Sequence, residues 1–465
     1  MRFLILVTIA LLASCTQHNP NVCCTDQADC DAQGLPLGST CAQGLLCRGN
    51  QCIAETCSLS AECDLTAPFC VNDLCTSACI DDAQCPGFQE DPADRFCVGG
   101  ACVACREGMA DCPMTAPVCD TGACRGCVID DDCASRVCTT STGVCVDTMA
   151  ILYVSPDGLP GNDCSLVAPC TMATAVTLLG VKKVIRMLPG TYAVDVSLGV
   201  GASATIIGTG ATLTGSVGTG PIVTTDASSN VTIRGLTIHT TSGLRSSIQC
   251  SGTAAAMLAL ADVVIDGGSA VVVGFQAGLC HLALSRTTVL STVDISNAST
   301  GTIDRSNIQY LELGSGKGAI VTVTNSIVSS FSLPRFDPYS ASGRVSFSTI
   351  GGSYIDCETN AGFGAVGFLF DNDILVATLG SPASHLIGNA ACFDHDIAFP
   401  QAVPLGTNMK IIDPHFVDAP NNDFHLLMNS AAIDAADPAA TDPVDYDGIA
   451  RPQGAGRDLG AFEYH

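Results

Sequence analysis

Tryptophan is absent from the sequence, and basic residues are scarce: 19 Lys and Arg stand against 45 Asp and Glu, which gives a formal net charge of −26 over 465 residues. Nucleic acids are bound mainly by Lys and Arg, which neutralise the phosphates, so this balance argues against a nucleic-acid partner. Aromatic residues make up only 5% of the chain. Any stacking contact with a ligand must therefore come from the few Phe and Tyr residues.

The sequence also lacks an apolar run that is long enough to span a membrane. Its longest apolar run, residues 3–13, has 11 residues and follows the positively charged start Met1-Arg2. A membrane-spanning helix needs about 20 apolar residues, whereas a shorter run after a basic start is typical of an export signal. We therefore expect an exported protein without a membrane-spanning segment.

Cys15 ends the tetrapeptide Leu-Ala-Ser-Cys, and polar residues follow it. This arrangement resembles the lipobox of bacterial lipoproteins. The resemblance implies a signal peptide over 1–14, a diacylglycerol group on Cys15 and a lipidated tether over 15–22. Thr16, a non-acidic residue after the lipidated cysteine, implies sorting to the outer membrane or cell surface. The alternative is an ordinary signal peptide that is cut near Ser14.

Cysteine is concentrated between positions 23 and 147. Of the 29 cysteines, 22 lie between Cys23 and Cys145, a density that is typical of a disulfide scaffold in an oxidising compartment. They form one unit of six and then four units of four, whose starts are 22, 26 and 22 residues apart. Units this short bury too little apolar surface to fold without covalent loops. We predict a disulfide-rich repeat region over 23–147, with the connectivity left open.

An acidic or amide residue precedes the second cysteine of four of the units and the third of the six-cysteine unit, at Asp29, Glu62, Gln84, Asp111 and Asp132. We consider two interpretations, a hydrogen-bonded turn exposed to solvent and a cation-binding stalk. Two Cys-x-x-Cys pairs fall at junctions between units, where a linker explains them better than a zinc site. The spacing of the array resembles that of cysteine-rich repeats in bacterial surface proteins, which implies no catalytic role.

The composition changes after Cys145, where cysteine becomes rare and Gly, Ser, Thr, Val and Ile become frequent. Residues 151–158 read Ile-Leu-Tyr-Val-Ser-Pro-Asp-Gly, a helix-like stretch follows at 173–179, and residues 184–192 read Val-Ile-Arg-Met-Leu-Pro-Gly-Thr-Tyr. This order resembles the N-terminal segment of right-handed parallel β-helix proteins, which have the pectate-lyase-like fold. The resemblance implies such a domain over 148–465.

Short apolar triplets repeat along the same region, and their last residues are separated by steps of 19 to 27 residues. The triplets lie at 231–233, 258–260, 282–284, 301–303, 321–323, 345–347 and 368–370. One coil of a β-solenoid takes about this length, because it contains three short strands and three turns. A β-sandwich, the competing fold, gives no reason for the repeat. We therefore predict an all-β protein: a right-handed parallel β-helix (solenoid), preceded by a small disulfide-rich repeat domain.

The last residues, 412–465, contain a series of short motifs. In chain order they are Asp413-Pro-His-Phe-Val-Asp418, Asp423-Phe-His-Leu426, Ser430-Ala-Ala-Ile-Asp434, Asp445-Tyr-Asp-Gly448, Arg451-Pro452 and Gly456-Arg-Asp-Leu-Gly-Ala-Phe-Glu-Tyr464. The series closely resembles the C-terminal segment of many secreted bacterial β-helix proteins, which implies a cap over the free edge of the last coil. Asp445, Asp447 and Asp458 are candidates for a shared calcium ion, the only cofactor we consider. Hydrogen-bonded turn aspartates are the alternative.

Six cysteines lie in the predicted β-helix. Cys164 and Cys170 are close enough in sequence to staple one loop. We expect two further bridges between neighbouring coils, Cys250 with Cys280 and Cys357 with Cys392.

Parallel β-helices often act on acidic polysaccharides, and in a lyase of this kind Asp residues hold Ca²⁺ while an Arg or Lys acts as the base. Aligning the triplets stacks Asp262, Arg286, Arg305, Asn325 and Asn372 at the second position after a triplet, with about 4.8 Å between coils. A lyase would use Arg286 or Arg305 as its base, with Asp262 beside it. The alternative, which we favour, is a structural turn of the kind that carries asparagine ladders.

A glycoside hydrolase needs two carboxylates on either side of the scissile bond. The closest pairs in the sequence are Asp371 with Asp373 and Asp394 with Asp396, each separated by one residue. We keep Asp394 and Asp396 as catalytic candidates, although polar turns are the interpretation that we favour.

These observations favour a lipid-anchored protein of the outer membrane or cell surface, whose β-helix presents a long rigid face. We expect that face to bind polysaccharide or other cell-surface glycans without catalysis. The rival is a divergent polysaccharide lyase or glycoside hydrolase acting on acidic polysaccharide, and a purely structural spacer is a third interpretation. The fold does not decide among them, because β-helices serve both as enzymes and as binding modules. The sequence does not give the oligomeric state.

Overall fold

The structure is a computed structural model, and it describes residues 45–48, 51–54, 69–71, 74–76, 78–85, 95–109, 111–240, 245–250, 255–267, 269–273, 279–313, 318–332, 341–351, 354–356, 367–376, 385–387, 392–400 and 406–465. The chain divides into two compact units, Met1–Val146 and Asp147–His465. The predicted signal peptide 1–14 and the predicted tether 15–22, with Cys15, lie outside the described residues. Within the described ranges, no helix combines the length and the apolar character that crossing a bilayer requires.

The first unit contains short antiparallel hairpins. Its strands are β1 (Leu45–Arg48), β2 (Gln51–Ala54), β3 (Phe69–Val71), β4 (Leu74–Thr76), β5 (Phe96–Val98), β6 (Ala101–Val103), β7 (Val118–Asp120), β8 (Ala123–Arg125), β9 (Cys138–Thr139) and β10 (Val144–Cys145). Each strand pairs with its neighbour in the chain, and two cysteines stand opposite each other in each hairpin, as Cys97 does with Cys102. Short 3-10 turns occur at Asp82–Gln84 and Asp130–Asp132.

Disulfides cross-link these hairpins to the loops that precede them. In the three units from Cys79 onward, the first cysteine bonds to the third and the second bonds to the fourth. The bonds are Cys79–Cys97, Cys85–Cys102, Cys105–Cys119, Cys112–Cys124, Cys127–Cys138 and Cys133–Cys145. The structure thus gives the connectivity that the spacing leaves open. All four cysteines of the Cys-x-x-Cys pairs are bridged, so they offer no thiolate to a zinc ion.

In the three units from Cys79 onward, the acidic or amide residue before the second cysteine closes the loop that precedes it. Gln84 Oε1 accepts a hydrogen bond from the Ile80 N–H at 2.7 Å, and Asp132 Oδ2 accepts one from the Val128 N–H at 2.8 Å. Asp111 makes the corresponding contact in its own unit. These side chains therefore cap short loops, as the turn interpretation of the repeat requires.

Short strands are the main regular elements of the second unit over its described residues. They are β11 (Ile151–Val154), β12 (Val184–Met187), β13 (Gly190–Tyr192), β14 (Val196–Leu198), β15 (Ser203–Leu213), β16 (Val223–Thr225), β17 (Asn230–His239), β18 (Ser246–Cys250), β19 (Ala256–Ala261), β20 (Val264–Asp266), β21 (Ser269–Val273), β22 (Cys280–Ser285), β23 (Thr288–Ile295), β24 (Thr300–Asp304), β25 (Asn307–Leu313), β26 (Ile320–Thr324), β27 (Ile327–Val328), β28 (Phe331–Ser332), β29 (Ser342–Ser346), β30 (Thr349–Gly351), β31 (Tyr354–Asp356), β32 (Gly367–Asp371), β33 (Ile374–Val376), β34 (His385–Ile387), β35 (Phe393–Asp394), β36 (Ile397–Phe399), β37 (Phe416–Asp418) and β38 (Asp423–Leu426). The helix α1 (Met172–Thr177) lies between β11 and β12. Thr171 caps this helix by accepting a hydrogen bond from the Thr174 N–H at 3.2 Å.

The strands wind into coils that stack in parallel. We call the first face the stack of β11, β12, β15, β17, β19, β22, β24, β26, β29, β32 and β35, in which each strand pairs in register with the next. Strands of the other faces stack in the same way, as β20 does with β23 and β28 does with β31. The predicted all-β parallel solenoid, preceded by a disulfide-rich region, is confirmed.

Inward-pointing apolar side chains form the core of the solenoid. Because side chains alternate along a strand, every second residue of the first face points inward. One stacked column contains Ile206, Ile233, Leu260, Leu284, Ile303, Val323, Val345, Phe370 and Phe393, all of them buried. Complete burial of one such side chain stabilises the fold by about 1.5–3 kcal/mol.

Each strand of the first face from β19 to β35 is followed directly by a residue in the left-handed conformation. The φ angle is +54° at Asp262, +47° at Arg286 and +45° at Arg305. This turn column continues through Asn325, Phe347, Asn372 and His395. Each of these residues donates its N–H to a carbonyl group one coil further on, as Arg286 does to Asp304 at 3.1 Å. Asn and Asp tolerate this conformation, whereas Arg, Phe and His adopt it at a cost.

A buried hydroxyl ladder follows the turn column. Its members are Thr287, Ser306, Ser326 and Ser348, and it ends at two carboxylates, Asp373 and Asp396. Each side chain accepts the N–H of the member one coil before, as Ser326 Oγ does from Ser306 at 3.1 Å. The serine hydroxyls donate in turn to the carbonyl group two residues earlier in the chain. These paired hydrogen bonds allow the hydroxyl groups to lie in the interior.

Two disulfides of the solenoid have both of their cysteines among the described residues. One joins Cys164 to Cys170, and the other joins Cys250 at the end of β18 to Cys280 at the start of β22. Cys392 is also disulfide-bonded. Cys357, its expected partner, lies outside the described residues.

The C-terminal segment, residues 412–465, lies along the side of the solenoid. The Ala461 N–H donates to Thr349 Oγ1 at 3.2 Å, and the Gly460 N–H donates to the Asn372 carbonyl at 2.9 Å. A buried apolar cluster joins the segment to several coils and contains Phe347, Ile374, Val376, Ile397, Leu426, Ala432, Ala436 and Leu459. The segment thus covers outward-pointing apolar side chains on coils that precede the last one.

A buried ion pair organises the C-terminal segment. Arg451 Nη1 lies 2.8 Å from Glu463 Oε1, and both side chains are fully buried. Arg451 also donates to the carbonyl groups of Asp458 and Gly460 at 2.9 and 2.8 Å. Its guanidinium carbon lies 4.7 Å from the centre of the Phe347 ring. One side chain therefore links the end of the chain to the turn column.

We predict that Arg451→Met lowers the free energy of unfolding by about 3–5 kcal/mol, because it leaves Glu463 buried without its partner. Arg457→Met is the matched control. Arg457 is partly exposed and donates one hydrogen bond, to the Asp442 carbonyl, so its loss costs about 1 kcal/mol. Urea unfolding followed by circular dichroism measures both variants, and equal midpoints would contradict the role given to the ion pair.

Candidate functional site

A polar trough lies between the first face and the C-terminal segment. Its lining residues are Thr322, Thr324, Arg344, Ser346, Phe347 and Asp371 from the solenoid, and Asp437, Ala439, Ala440, Thr441 and Asp442 from the segment. The volume of the trough is about 400 Å³. Hydroxyl, carboxylate and guanidinium groups dominate this lining, so the trough is suited to a hydrophilic ligand.

Side chains alternate between the two faces of a strand, which explains why these residues point outward. In β26, buried valines alternate with Thr322 and Thr324. The register then places Arg344 one coil beyond Thr322, and Asp371 one coil beyond Ser346. Residues that are far apart in the sequence therefore form one continuous polar surface.

Arg344 and Asp371 form an ion pair in the trough. Arg344 Nη2 contacts Asp371 Oδ2 across one coil. The Asp371 side chain is only 9% exposed, whereas the Arg344 side chain is 55% exposed. The ion pair thus holds the carboxylate in place and leaves much of the guanidinium group open to a ligand.

Asp394 continues the line of Asp371 on the next coil. The two residues pair in register, and the turn residue His395 follows. One ligand atom from each of Asp371, Asp394 and His395 lies within 4.8 Å of the other two. His395 Nδ1 is 3.1 Å from Asp394 Oδ1, and Asn408 Nδ2 is 3.1 Å from His395 Nε2. The structure therefore brings two carboxylates and one imidazole together.

The two arginines considered as lyase bases are held in ion pairs. Arg286 Nε and Nη2 each lie 2.7 Å from the Asp262 carboxylate, and this hydrogen bonding raises the pKa of Arg286 above its usual value. Arg305 Nε lies 3.0 Å from Asp304 Oδ2. A general base must first lose its proton, and the hydrogen bonds to Asp262 stabilise the charged form of Arg286. The geometry of Asp262, Arg286 and Arg305 is that of a structural turn.

Asp394 and Asp396 point to opposite sides of the chain. Asp394 faces outward and is partly exposed, whereas Asp396 is fully buried and its Oδ1 atom accepts the Asp373 N–H at 2.8 Å. Asp373 is fully buried as well, although Asp371 lines the trough. Neither pair presents two carboxylates to one glycosidic bond.

Burial raises the pKa of Asp373 and of Asp396 well above the usual value of 3.8. Nearby carboxylates add to the effect, because charge repulsion from Asp373 further disfavours an ionised Asp396. Asp396 Oδ2 finds no hydrogen-bond partner among the described residues. The end of the hydroxyl ladder thus contains two carboxyl groups whose ionised forms are disfavoured by burial.

The calcium candidates accept hydrogen bonds from the chain itself. Both oxygens of Asp445 and both oxygens of Asp458 accept backbone N–H groups at 2.7–2.9 Å. Asp447 Oδ2 lies 2.9 Å from His425 Nε2. Over the ranges that the structure describes, these three carboxylates do not meet within 4.8 Å as a group. Their geometry is that of hydrogen-bonded turn aspartates, the alternative to a calcium site.

Sequence reasoning missed Arg344, His395 and the wall that the C-terminal segment gives to the trough. The triplet at 345–347 misled the alignment, because the structure pairs Val345, and not Phe347, with Val323. Shifting that triplet by two residues puts Phe347 in the turn column and Arg344 next to Thr322 on the outward side of the first face. His395 stands directly after Asp394, at the column position that asparagine holds on other coils.

Comparisons with known proteins identify no family. No family of known proteins matches the sequence, and no curated protein is significantly similar to it. Among solved structures, the pectate lyase Pel9A aligns with a TM-score of 0.43 and 14% identity, over 68% of this chain and 96% of that chain. A rhamnogalacturonan lyase aligns with a TM-score of 0.36 and 12% identity, over 57% of this chain and 90% of that chain. Similarity at this level carries no conclusion about activity.

We predict that Asp396→Ser raises the free energy of unfolding by about 1–3 kcal/mol near neutral pH. Serine continues the hydroxyl ladder and removes a buried carboxyl group that has one unpaired oxygen. The folded chain keeps a proton on Asp396 that the unfolded chain releases above about pH 3.8. Wild-type stability therefore falls as the pH rises from there through the raised pKa, and the gain from the variant grows over the same range.

Ser348→Ala is the control for this prediction, because it removes the acceptor of the Ser326 N–H and costs about 1 kcal/mol at every pH. Urea unfolding in the presence of EDTA, at about pH 4 and about pH 8, measures the three proteins. If Asp396→Ser were less stable than the wild type at the higher pH, the assignment of Asp396 to the ladder would be contradicted.

Proposed function

We propose that the protein is exported, is anchored by a lipid on Cys15, and binds polysaccharide or other cell-surface glycans in the trough without cleaving them. The observation that carries the proposal is the trough lining, in which threonine and serine hydroxyls, one guanidinium group and three carboxylates face a volume of about 400 Å³. Binding sites for hydroxyl-rich ligands need converging polar groups of this kind. The rigid strands beneath them lose little entropy when a ligand binds.

The charge of the trough favours a neutral or amino-containing glycan. The lining contains three acidic residues, Asp371, Asp437 and Asp442, and one basic residue, Arg344. The whole chain carries a net charge of −26. A uronate polymer would meet electrostatic repulsion from such a surface. The same repulsion argues against the rival function, a lyase or hydrolase for acidic polysaccharide.

Two further observations support the absence of catalysis. Arg286 and Arg305 are held as charged ion-pair partners, and a base must be uncharged before it can accept a proton. Asp396 is fully buried, so it has no access to a polymer. The outward side chains that line the trough thus offer contacts to a glycan, whereas Arg286, Arg305 and Asp396 are not placed to act on one.

The location rests on the cysteines and on the first residues of the chain. Six disulfides cross-link residues 79–145, and others lie in the solenoid. Disulfides persist in oxidising compartments. Together with the lipobox-like sequence that ends at Cys15, they support an anchored protein at the outer membrane or cell surface.

We predict that Thr322→Arg abolishes glycan binding, because a long charged side chain fills the trough. Thr232→Arg is the matched control, since Thr232 occupies the same outward column four coils earlier. Affinity electrophoresis through gels that contain neutral, amino-sugar or uronate polymers measures binding. We expect a neutral or amino-sugar polymer to retard the wild type and Thr232→Arg, while Thr322→Arg migrates freely.

Retardation of Thr322→Arg equal to that of the wild type would exclude the trough as the site, and a wild type that no glycan retards would refute the binding function. Catalysis is tested with the same preparation by incubation with uronate polymers and measurement of unsaturated ends. Product that is lost in Arg286→Ala or Arg305→Ala would overturn the proposal in favour of a lyase.

A further inference from the structure

Asp371, Asp394 and His395 form a cluster on the last two coils of the first face. The glycan proposal gives Asp394 and His395 no role. The cluster offers two carboxylate oxygens and one imidazole nitrogen, all within 4.8 Å of one another. Metal ions take ligand bonds of about 2.0–2.2 Å to such atoms. Three atoms at this separation can therefore reach one ion with small side-chain adjustments.

The imidazole of His395 gives a second observation. Its Nδ1 atom is shielded from solvent and lies 3.1 Å from Asp394 Oδ1, yet it has no hydrogen-bond partner among the described residues. A hydrogen bond requires the N–H to point at its acceptor. Two ligand atoms that share a metal ion lie about 3 Å apart and need no such alignment. The arrangement of Nδ1 and the carboxylate is thus better suited to a shared cation than to a hydrogen bond.

Neighbouring groups hold the imidazole in this position. Asn408 Nδ2 lies 3.1 Å from His395 Nε2 and 3.4 Å from Asp394 Oδ1. The His395 N–H donates to the Thr407 carbonyl at 3.0 Å. An ion on Nδ1 leaves the ring proton on Nε2, so the Asn408 amide would then turn its oxygen towards Nε2 and accept that proton.

The local charge also favours a cation. The outward carboxylates of Asp371 and Asp394 lie in register on neighbouring coils. Arg344 is the basic residue that contacts Asp371. A bound dication would offset the remaining repulsion between the two coils.

We propose that Asp371, Asp394 and His395 bind one divalent first-row transition-metal ion. A set of two carboxylates and one imidazole suits Zn²⁺, Mn²⁺ or Ni²⁺, whereas Ca²⁺ prefers oxygen ligands alone. This inference does not rest on glycan binding, because the site is complete without a ligand in the trough.

Isothermal titration of the full chain with Zn²⁺, after removal of metals with EDTA, tests the proposal. We expect one ion per chain, bound more tightly than Ca²⁺. His395→Asn should weaken Zn²⁺ binding by more than the roughly tenfold effect of losing an outer-shell partner. Asparagine preserves the left-handed turn, because Asn325 and Asn372 adopt it in the same column.

His239→Asn is the matched control, since His239 Nδ1 lies 2.6 Å from Asp266 Oδ1 on other coils, and its loss should leave Zn²⁺ binding unchanged. Arg344→Gln should have the opposite effect on Zn²⁺ affinity. It frees Asp371 from its ion pair, so we expect Zn²⁺ to bind several-fold more tightly. An adventitious site that depends on exposed histidine alone would not respond to Arg344.

Three outcomes would overturn the proposal: a wild type that binds no Zn²⁺, equal binding by His395→Asn and His239→Asn, or an affinity that Arg344→Gln leaves unchanged or weakens. Thermal unfolding gives an independent measurement. Zn²⁺ should raise the midpoint of the wild type and of His239→Asn, and it should not raise that of His395→Asn or of Asp394→Asn. Midpoints measured in EDTA show whether each variant is folded.

Discussion

Registration between successive coils is the constraint on which the rest of the structure depends. A slip of one residue would turn every inward side chain of a strand outward. The turn column and the hydroxyl ladder oppose such a slip, because their members hydrogen-bond from one coil to the next. Outward residues are consequently aligned from coil to coil, and Arg344, Asp371 and Asp394 meet on one surface although they are 27 and 23 residues apart in the chain.

The C-terminal segment compensates for irregularities in this regular stack. Phe347 occupies a left-handed position that disfavours a large side chain, and Ile374 and Ile397 belong to the apolar cluster that the segment covers. The buried Arg451–Glu463 pair fixes the segment against Phe347. The same segment supplies one wall of the trough, so the stability of the last coils and the shape of the candidate site depend on one set of contacts.

Much of the fold could be predicted from the sequence, because apolar triplets at coil-length spacing specify a parallel solenoid. The turn column could also be predicted in part, since Asp, Asn and Arg recur there. The pairing of cysteines within a unit could not, because spacing alone permits several connectivities. Strand alternation alone would place Asp394 and Asp396 on one side, but the left-handed residue His395 bends the chain between them, so that Asp394 faces outward and Asp396 inward. The trough wall depends on packing between distant segments, which periodicity does not encode.

Hydrogen–deuterium exchange, read by mass spectrometry with and without a bound glycan, tests the central claim most directly. The account predicts that a glycan slows exchange in peptides that contain residues 437–442 and 342–346, the two walls of the trough, and leaves 230–234 unchanged. Slowed exchange confined to other faces of the solenoid, or to the disulfide-rich unit, would contradict it.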